Sequence, residues 1–305
     1  MSILASAQVN VDVTLVSLHH QDKLFWPDLG LTKGDMVNYY IAVSPYLLPH
    51  LRKRPFIMKP FPDGVTGASY FRWQVPESAP AWLHRWRYET PQRSIDMLII
   101  DALPDLVWAA DEACIELHTW LARADRPTLP DLAVFDLDPG PEVGFPACLE
   151  VARHLHRALE QTGVRAYAKT TGRHGLHVLV PLERRYTFPQ VRAWVEGVAR
   201  QVSAERPELI TLDKSLAARD GRVLIDYSQN GHAKSIVAPY SLRAVPEATV
   251  STPLTWEEVS AGRVRPTDWT MLTVLPRLQK VGDLLAPLLE PQMLPGELVG
   301  THGSS

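Results

Sequence analysis

The chain has 305 residues, enough for one large or two small domains with a sizeable core. Its content of 46% hydrophobic and 21% charged residues is that of a globular protein, with no run of about 18 apolar residues to span a membrane and no secretory leader at the N-terminus. A formal net charge of −3 excludes a broadly basic nucleic-acid binder but not a local basic patch, and two cysteines exclude a disulfide framework; Cys114 and Cys148 sit in apolar stretches and read as reduced core residues of a cytoplasmic protein.

Residues 10–15 alternate apolar and polar and predict a strand. Thr32 and Asp35 form a capping box that opens a helix toward His50, with Met36, Tyr39, Tyr40, Val43 and Leu47 at helical spacing. Lys23 and Lys33 flank the loop before it, where two ammoniums and open backbone N–H groups can hold a phosphate; solvated surface lysines would look the same. The most basic run carries Arg52, Lys53, Arg54 and Lys59 and reads as a strand entering the turn Pro62-Asp63-Gly64. Tyr70, Phe71, Arg72 and Trp73 follow: aromatics interleaved with arginine suit base stacking, and equally a strand with one face in the core. Strands are predicted over 82–88 and 97–100, then a helix over 103–123 with His118 near its end, and a linker stopped by Pro127 and Pro130.

Residues 133–139, AVFDLDP, read as a short strand. Alternation puts Val134, Asp136 and Asp138 on one face and Ala133, Phe135 and Leu137 on the other. The two carboxylates lie about 6–7 Å apart at Cα, at a rise of ~3.3 Å per residue. They repel unless a cation intervenes, and oxygen-rich pairs suit Mg²⁺ or Mn²⁺. Asp138-Pro139-Gly140 alone is also what a turn after a strand requires. A helix over 145–161 follows, then strand, turn and strand through KTTGRHGLH, where Gly172 and Gly175 bracket the turn. Successive N–H groups in such a turn form an anion nest, with Thr171, Arg173, His174 and His177 as further donors; a plain hairpin is the alternative. An amphipathic helix over 188–206, a strand carrying Asp226 into Gln229, Asn230 and Lys234, a strand over 236–240, a capping box from Thr255 to Glu258 and a closing helix over 269–289 complete the chain. Helices and strands mix without strict alternation, which predicts an α+β fold with mixed or antiparallel central sheets flanked by helices.

A carboxylate pair, a third aspartate and a phosphate-gripping turn are the parts of two-metal phosphoryl transfer. Eight ordered segments carry a resemblance: DKLFWPDLGLTKGD, PDGVTGASYF, ELHTWLARAD, VFDLDPGP, KTTGRHGLHVLVPL, VLIDYSQN, APYSLRA and STPLTWEEV. Together they resemble the primase-polymerase domain of bacterial multifunctional DNA ligase D, in the archaeo-eukaryotic primase superfamily, from about Asp22 to about Val259. The resemblance implies a single catalytic domain over 1–299 with a flexible tail at 300–305. It implies template-directed addition of rNTPs or dNTPs to DNA 3′ ends and gap filling in bacterial non-homologous end joining. Two ions, Mn²⁺ or Mg²⁺, would serve a nucleoside triphosphate substrate. Gapped or overhanging DNA with a 5′-phosphate, Ku and a ligase would be the partners, in the cytoplasm at the nucleoid.

Carried over by position, Asp136, Asp138 and Asp226 look like the metal triad. Lys59, His118, Thr171, Gly172, His174, His177, Gln229, Lys234 and Arg243 look like nucleotide contacts. Lys23 and Lys33 look like the 5′-phosphate lysines, and Tyr70 and Phe71 like the pair that stacks on template bases. The chain departs from the family pattern at Thr171 (usually Ser), His174 (usually Lys), Pro60, Trp73 and His20. A primer-synthesising primase and a non-catalytic end-bridging module are the alternative functions.

Overall fold

The computed structural model describes residues 6–295, so the tail at 300–305 lies outside the described residues. The chain divides into two compact units. One comprises Met1–Trp120, Val237–Val250 and Trp269–Gly282; the other comprises Leu121–Ile236, Ser251–Asp268 and Asp283–Ser305. Both mix helices with mainly antiparallel strands, so the fold is α+β as expected.

The first unit opens with a hairpin, Ser6–Val11 against Thr14–His19. The single strand expected over 10–15 is thereby corrected. The chain turns at Asp12, whose φ is 53°, a left-handed conformation that a short polar side chain tolerates. Val13 consequently projects into solvent, while Val11 and Val16 are buried. Thr32 and Asp35 form the expected capping box, with Thr32 Oγ1 accepting from the Asp35 N–H at 3.1 Å. The helix they open, Lys33–Leu51, buries Met36, Tyr40, Val43 and Leu47 and packs on Leu103–Asp111.

That second helix is shorter than the apolar run 103–123 predicts. It stops at Asp111, Ala113 takes a φ of 61°, and His118–Trp120 becomes a strand. Ile115, Leu117, Trp120 and Leu121 are all buried, so the run is apolar because the segment is interior, not because it is helical. The unit's sheet runs His118–Trp120, Pro55–Ile57, Ser94–Ile99, Arg85–Glu89, all antiparallel neighbours. No strand forms over 70–73, where Arg72 makes one bridge to Met58. The closing helix is likewise shorter than 269–289. Backbone bonds from Val250 N–H to the Trp269 carbonyl and from Met271 N–H to the Ala248 carbonyl hold its first residues extended. Only Val274–Val281 is α-helical, and Ala286–Leu289 is a separate 3-10 turn.

The second unit is a six-stranded sheet in the order Ile210–Thr211, Val223–Asp226, Leu132–Pro139, Leu176–Pro181, Tyr167–Thr170, Pro253–Leu254. Its only parallel pair is the first. Helices Gly144–Gln161 and Phe188–Glu205 pack on the central strand Leu132–Pro139. The strand expected over 236–240 is the shorter Ser235–Val237, where the chain passes between units.

Candidate active site

Leu132–Pro139 is flanked on both sides by antiparallel partners, and their register places the acidic groups. Asp136 stands opposite Asp226 on one neighbour and opposite His177 on the other. Directly opposed residues share a face, and alternate residues of a strand return to it. Asp136, Asp138, Asp226 and His177 therefore occupy one face of the sheet. The reverse face is apolar: the Phe135 ring meets the Trp194 ring edge-on at 5.9 Å, and the Cys148 thiol donates to the Leu137 carbonyl at 3.7 Å. Burial of that face fixes the carboxylates on the other, since a one-residue slip would invert both.

The three carboxylates differ in environment. Burial, then the charge of Asp136, push the Asp138 carboxyl up to about 6; Arg219 offsets part of this, and His174 on the neighbouring turn offsets a little more. Burial would also raise Asp226, but hydrogen bonds from Lys214 and Ser228 outweigh it and hold this carboxyl below the usual range. Lys214 Nζ lies 2.9 Å from the Asp226 carboxylate, and the Ser228 N–H and hydroxyl donate to Oδ1 at 3.0 and 2.7 Å. His177 Nε2 is 3.2 Å from Asp136 Oδ1. Among the described residues no group of three or more His, Cys, Asp or Glu side chains is arranged to hold a metal ion. The donor set nevertheless fits a divalent cation. Two carboxylates raise the proton affinity of a third, and an ammonium already sits against Asp226 where positive charge is favoured.

The turn between Tyr167–Thr170 and Leu176–Pro181 approaches the same strand. Gly172 has a φ of 75°, and a Cβ at Gly175 would collide with the Leu137 carbonyl, so glycine is required at both positions. Thr171 closes the turn: its Oγ1 accepts from the Gly175 N–H at 3.1 Å and lies 3.1 Å from the Gly175 carbonyl. Its hydroxyl thus builds the loop that Gly172, Arg173 and the exposed His174 present. On the other side Gln229 Nε2 lies 3.4 Å from Asp226 Oδ2, while Lys234 is exposed.

Asn230 does something the sequence did not announce. Its amide accepts from the Val134 N–H at 2.9 Å and donates to the Val134 carbonyl at 2.7 Å. It continues the ladder of Leu132–Pro139 where the strand Val223–Asp226 has ended.

In the first unit, Lys59, His118 and Arg243 meet at one buried carboxylate. Glu116 has no exposed surface; Lys59 Nζ and His118 Nε2 lie 3.1 and 3.0 Å from its Oε2, and Arg243 Nε lies 3.3 Å from its Oε1. Burial pushes the His118 imidazole below its ordinary value, although the bond to Glu116 raises it. Phe71 belongs to the same cluster: its ring meets His118 edge-on at 6.3 Å, and Lys59 Nζ stands 5.3 Å from its centroid. Phe71 and Tyr70 are both exposed.

Lys23, Lys33 and Tyr70 line a cavity of about 360 Å³ together with His19, His20 and Asp111. Lys33 is buried, its ammonium 2.6 Å from Asp111 Oδ1 and 2.7 Å from the His19 carbonyl; Lys23 Nζ lies 2.7 Å from Asp63. Glu116, Lys214 and Asp111 were not singled out from the sequence, and Asn230 was named there only in the run that follows Asp226. Only Glu116 carried a signal there, as a carboxylate two residues before His118 in the ELH segment.

The family model for the LigD primase-polymerase domain matches residues 32–285. The chain is 34% identical over 275 residues to the multifunctional non-homologous end joining protein LigD of Mycolicibacterium smegmatis, covering 90% of this chain and 36% of that protein. It is 29% identical over 262 residues to the bifunctional non-homologous end joining protein LigD of Bacillus subtilis, covering 86% and 42%. The chain thus spans well under half the length of these relatives. Among solved structures, the polymerase domain from Mycobacterium tuberculosis ligase D in complex with DNA superposes with a TM-score of 0.84 at 32% identity, over 90% of this chain and 98% of that one. The family match over most of the chain, with a relative 34% identical across 90% of it, shows that the chain belongs to the LigD primase-polymerase domain family, whose chemistry is metal-dependent nucleotidyl transfer from nucleoside triphosphates.

Proposed function

We propose that this chain extends DNA 3′ ends and fills gaps by template-directed addition of rNTPs or dNTPs during bacterial non-homologous end joining. The observation that supports this most is the in-register pairing of Asp136 with Asp226, with Asp138 on the same face. Divalent ions, Mn²⁺ or Mg²⁺, held by these three carboxylates would supply Lewis-acid activation of the primer hydroxyl and charge neutralisation at the triphosphate. The side chains do the positioning. Lys59, His118 and Arg243 bind the triphosphate as a donor set, assisted by the Thr171–Gly172 turn, His174, His177, Gln229 and Lys234. Tyr70 and Phe71 stack on template bases, and Lys23 and Lys33 hold the 5′-phosphate of the downstream strand. No side-chain nucleophile is needed.

In this reading residues 1–299 act as one catalytic domain, with gapped or overhanging DNA as substrate and with Ku and a ligase as partners at the nucleoid. Among the described residues no helix is long and apolar enough to cross a membrane. The test is extension of a gapped, 5′-phosphorylated duplex with rNTPs or dNTPs, with Mg²⁺, Mn²⁺ or chelator. Templated addition that chelation abolishes is the expected result; no addition under any of these conditions refutes the proposal.

A further inference from the structure

An ammonium, a guanidinium and an imidazole share one carboxylate in the first unit. Glu116 is wholly buried and lies within 3.3 Å of Lys59, His118 and Arg243, and its Oε1 also accepts the Ala244 N–H at 3.2 Å. One buried carboxylate can order all three donors through charge-assisted bonds. The donors are not sealed in: the side chains of Lys59, His118 and Arg243 keep 16, 14 and 10% of their surface, against none for Glu116. The buried anion therefore holds the inner side of the cluster, while the three donors keep exposed surface beyond it.

We infer that Glu116 is the positioning residue of the triphosphate subsite, fixing Lys59, His118 and Arg243 in one donor array without itself touching the nucleotide. This rests on the reading of those three residues as triphosphate contacts. Three long or rotatable side chains held separately would each lose conformational freedom on binding; tied to one buried carboxylate, they are already ordered in the nucleotide-free protein. The chain builds this device from short-range geometry. Glu116 and His118 are alternate residues entering the strand His118–Trp120, and that strand pairs with Pro55–Ile57 through Ile57 and His118, two residues before Lys59. A backbone bond from Ala238 N–H to the Leu117 carbonyl, with the Leu117 N–H donating to Ser241 Oγ at 2.8 Å, brings the segment bearing Arg243 alongside.

The test is binding of a non-hydrolysable nucleoside triphosphate, by calorimetry with Mg²⁺, to wild type, Glu116→Gln, Glu116→Asp, Lys59→Met and the Glu116→Gln/Lys59→Met double variant, alongside extension kinetics. Folded Glu116→Gln is expected to bind on the order of tenfold more weakly, the size of a lost charge-assisted bond. Its KM should rise in step while kcat changes less. Glu116→Asp should recover part of the affinity, and the double variant should bind no more weakly than the weaker single one, because both changes disable one array. Unchanged affinity in folded Glu116→Gln, or losses that multiply in the double variant, would overturn the inference and leave Glu116 a structural residue. If Glu116→Gln does not fold, Glu116→Asp decides: wild-type affinity there refutes the positioning role, and weakened affinity supports it. Unchanged affinity in Lys59→Met would instead overturn the triphosphate reading itself, and the inference with it.

Discussion

Ionising Asp138 works against the fold, because burial and the neighbouring Asp136 both disfavour a second negative charge there. The sign of the consequence follows from linkage. An unfolded aspartate titrates near 3.9 and folded Asp138 near 6, so the native state binds more protons between those values and loses stability as pH rises through them. Below pH ~4 the effect vanishes; above ~6 it is complete, at up to about 3 kcal/mol. Asp138→Asn should therefore raise the thermal stability of the chelator-treated protein at pH 8 while changing it little at pH 4. Thermal melts across that range check it; equal melting shifts at both ends would contradict it. The DxD alternation itself was legible in the sequence, because face-sharing at two-residue spacing is a local property. What surrounds the aspartates was not. Lys214 reaches Asp226 from twelve residues away, and Glu116 meets Arg243 from 127 away, distances at which only the folded register decides contact.

Elements with local determinants were equally readable. Thr32 with Asp35 and Thr255 with Glu258 cap helices as their spacing predicts, since each box closes within four residues. Two of the elements that differ from expectation do so for different local reasons. Residues 10–15 alternate across a turn that contains neither Gly nor Pro, and 103–123 is apolar through an extended, buried stretch. Asn230 shows how much a short element can depend on one side chain, because its amide replaces a missing strand partner for Val134. Asn230→Ala leaves two buried backbone groups of the central strand unpaired, each worth ~1–3 kcal/mol. Urea unfolding should show a loss of roughly 2 kcal/mol or more. Divalent-metal affinity should weaken too, because Asp226 ends the strand that this amide extends. An unchanged unfolding midpoint would refute the ladder role.

At the level of the whole chain, each unit assembles its own chemistry: an acidic row on one sheet, and cations, aromatics and a lysine-lined cavity in the other unit. The cavity gives a test of DNA-end recognition separate from catalysis. Lys23→Ala with Lys33→Ala should erase the preference for a 5′-phosphorylated over an unphosphorylated gap, measured as a ratio of dissociation constants; an unchanged ratio would remove these lysines from that role. The double variant should also lose stability, since Asp111 would be left buried without the Lys33 ammonium. The central claim is that the aspartate row carries nucleotidyl transfer, and single-nucleotide extension of a gapped duplex by Asp138→Ala, with DNA affinity measured on the same folded sample, tests it most directly. Extension should fall below detection while DNA affinity stays near wild type; extension at the wild-type rate would contradict the assignment.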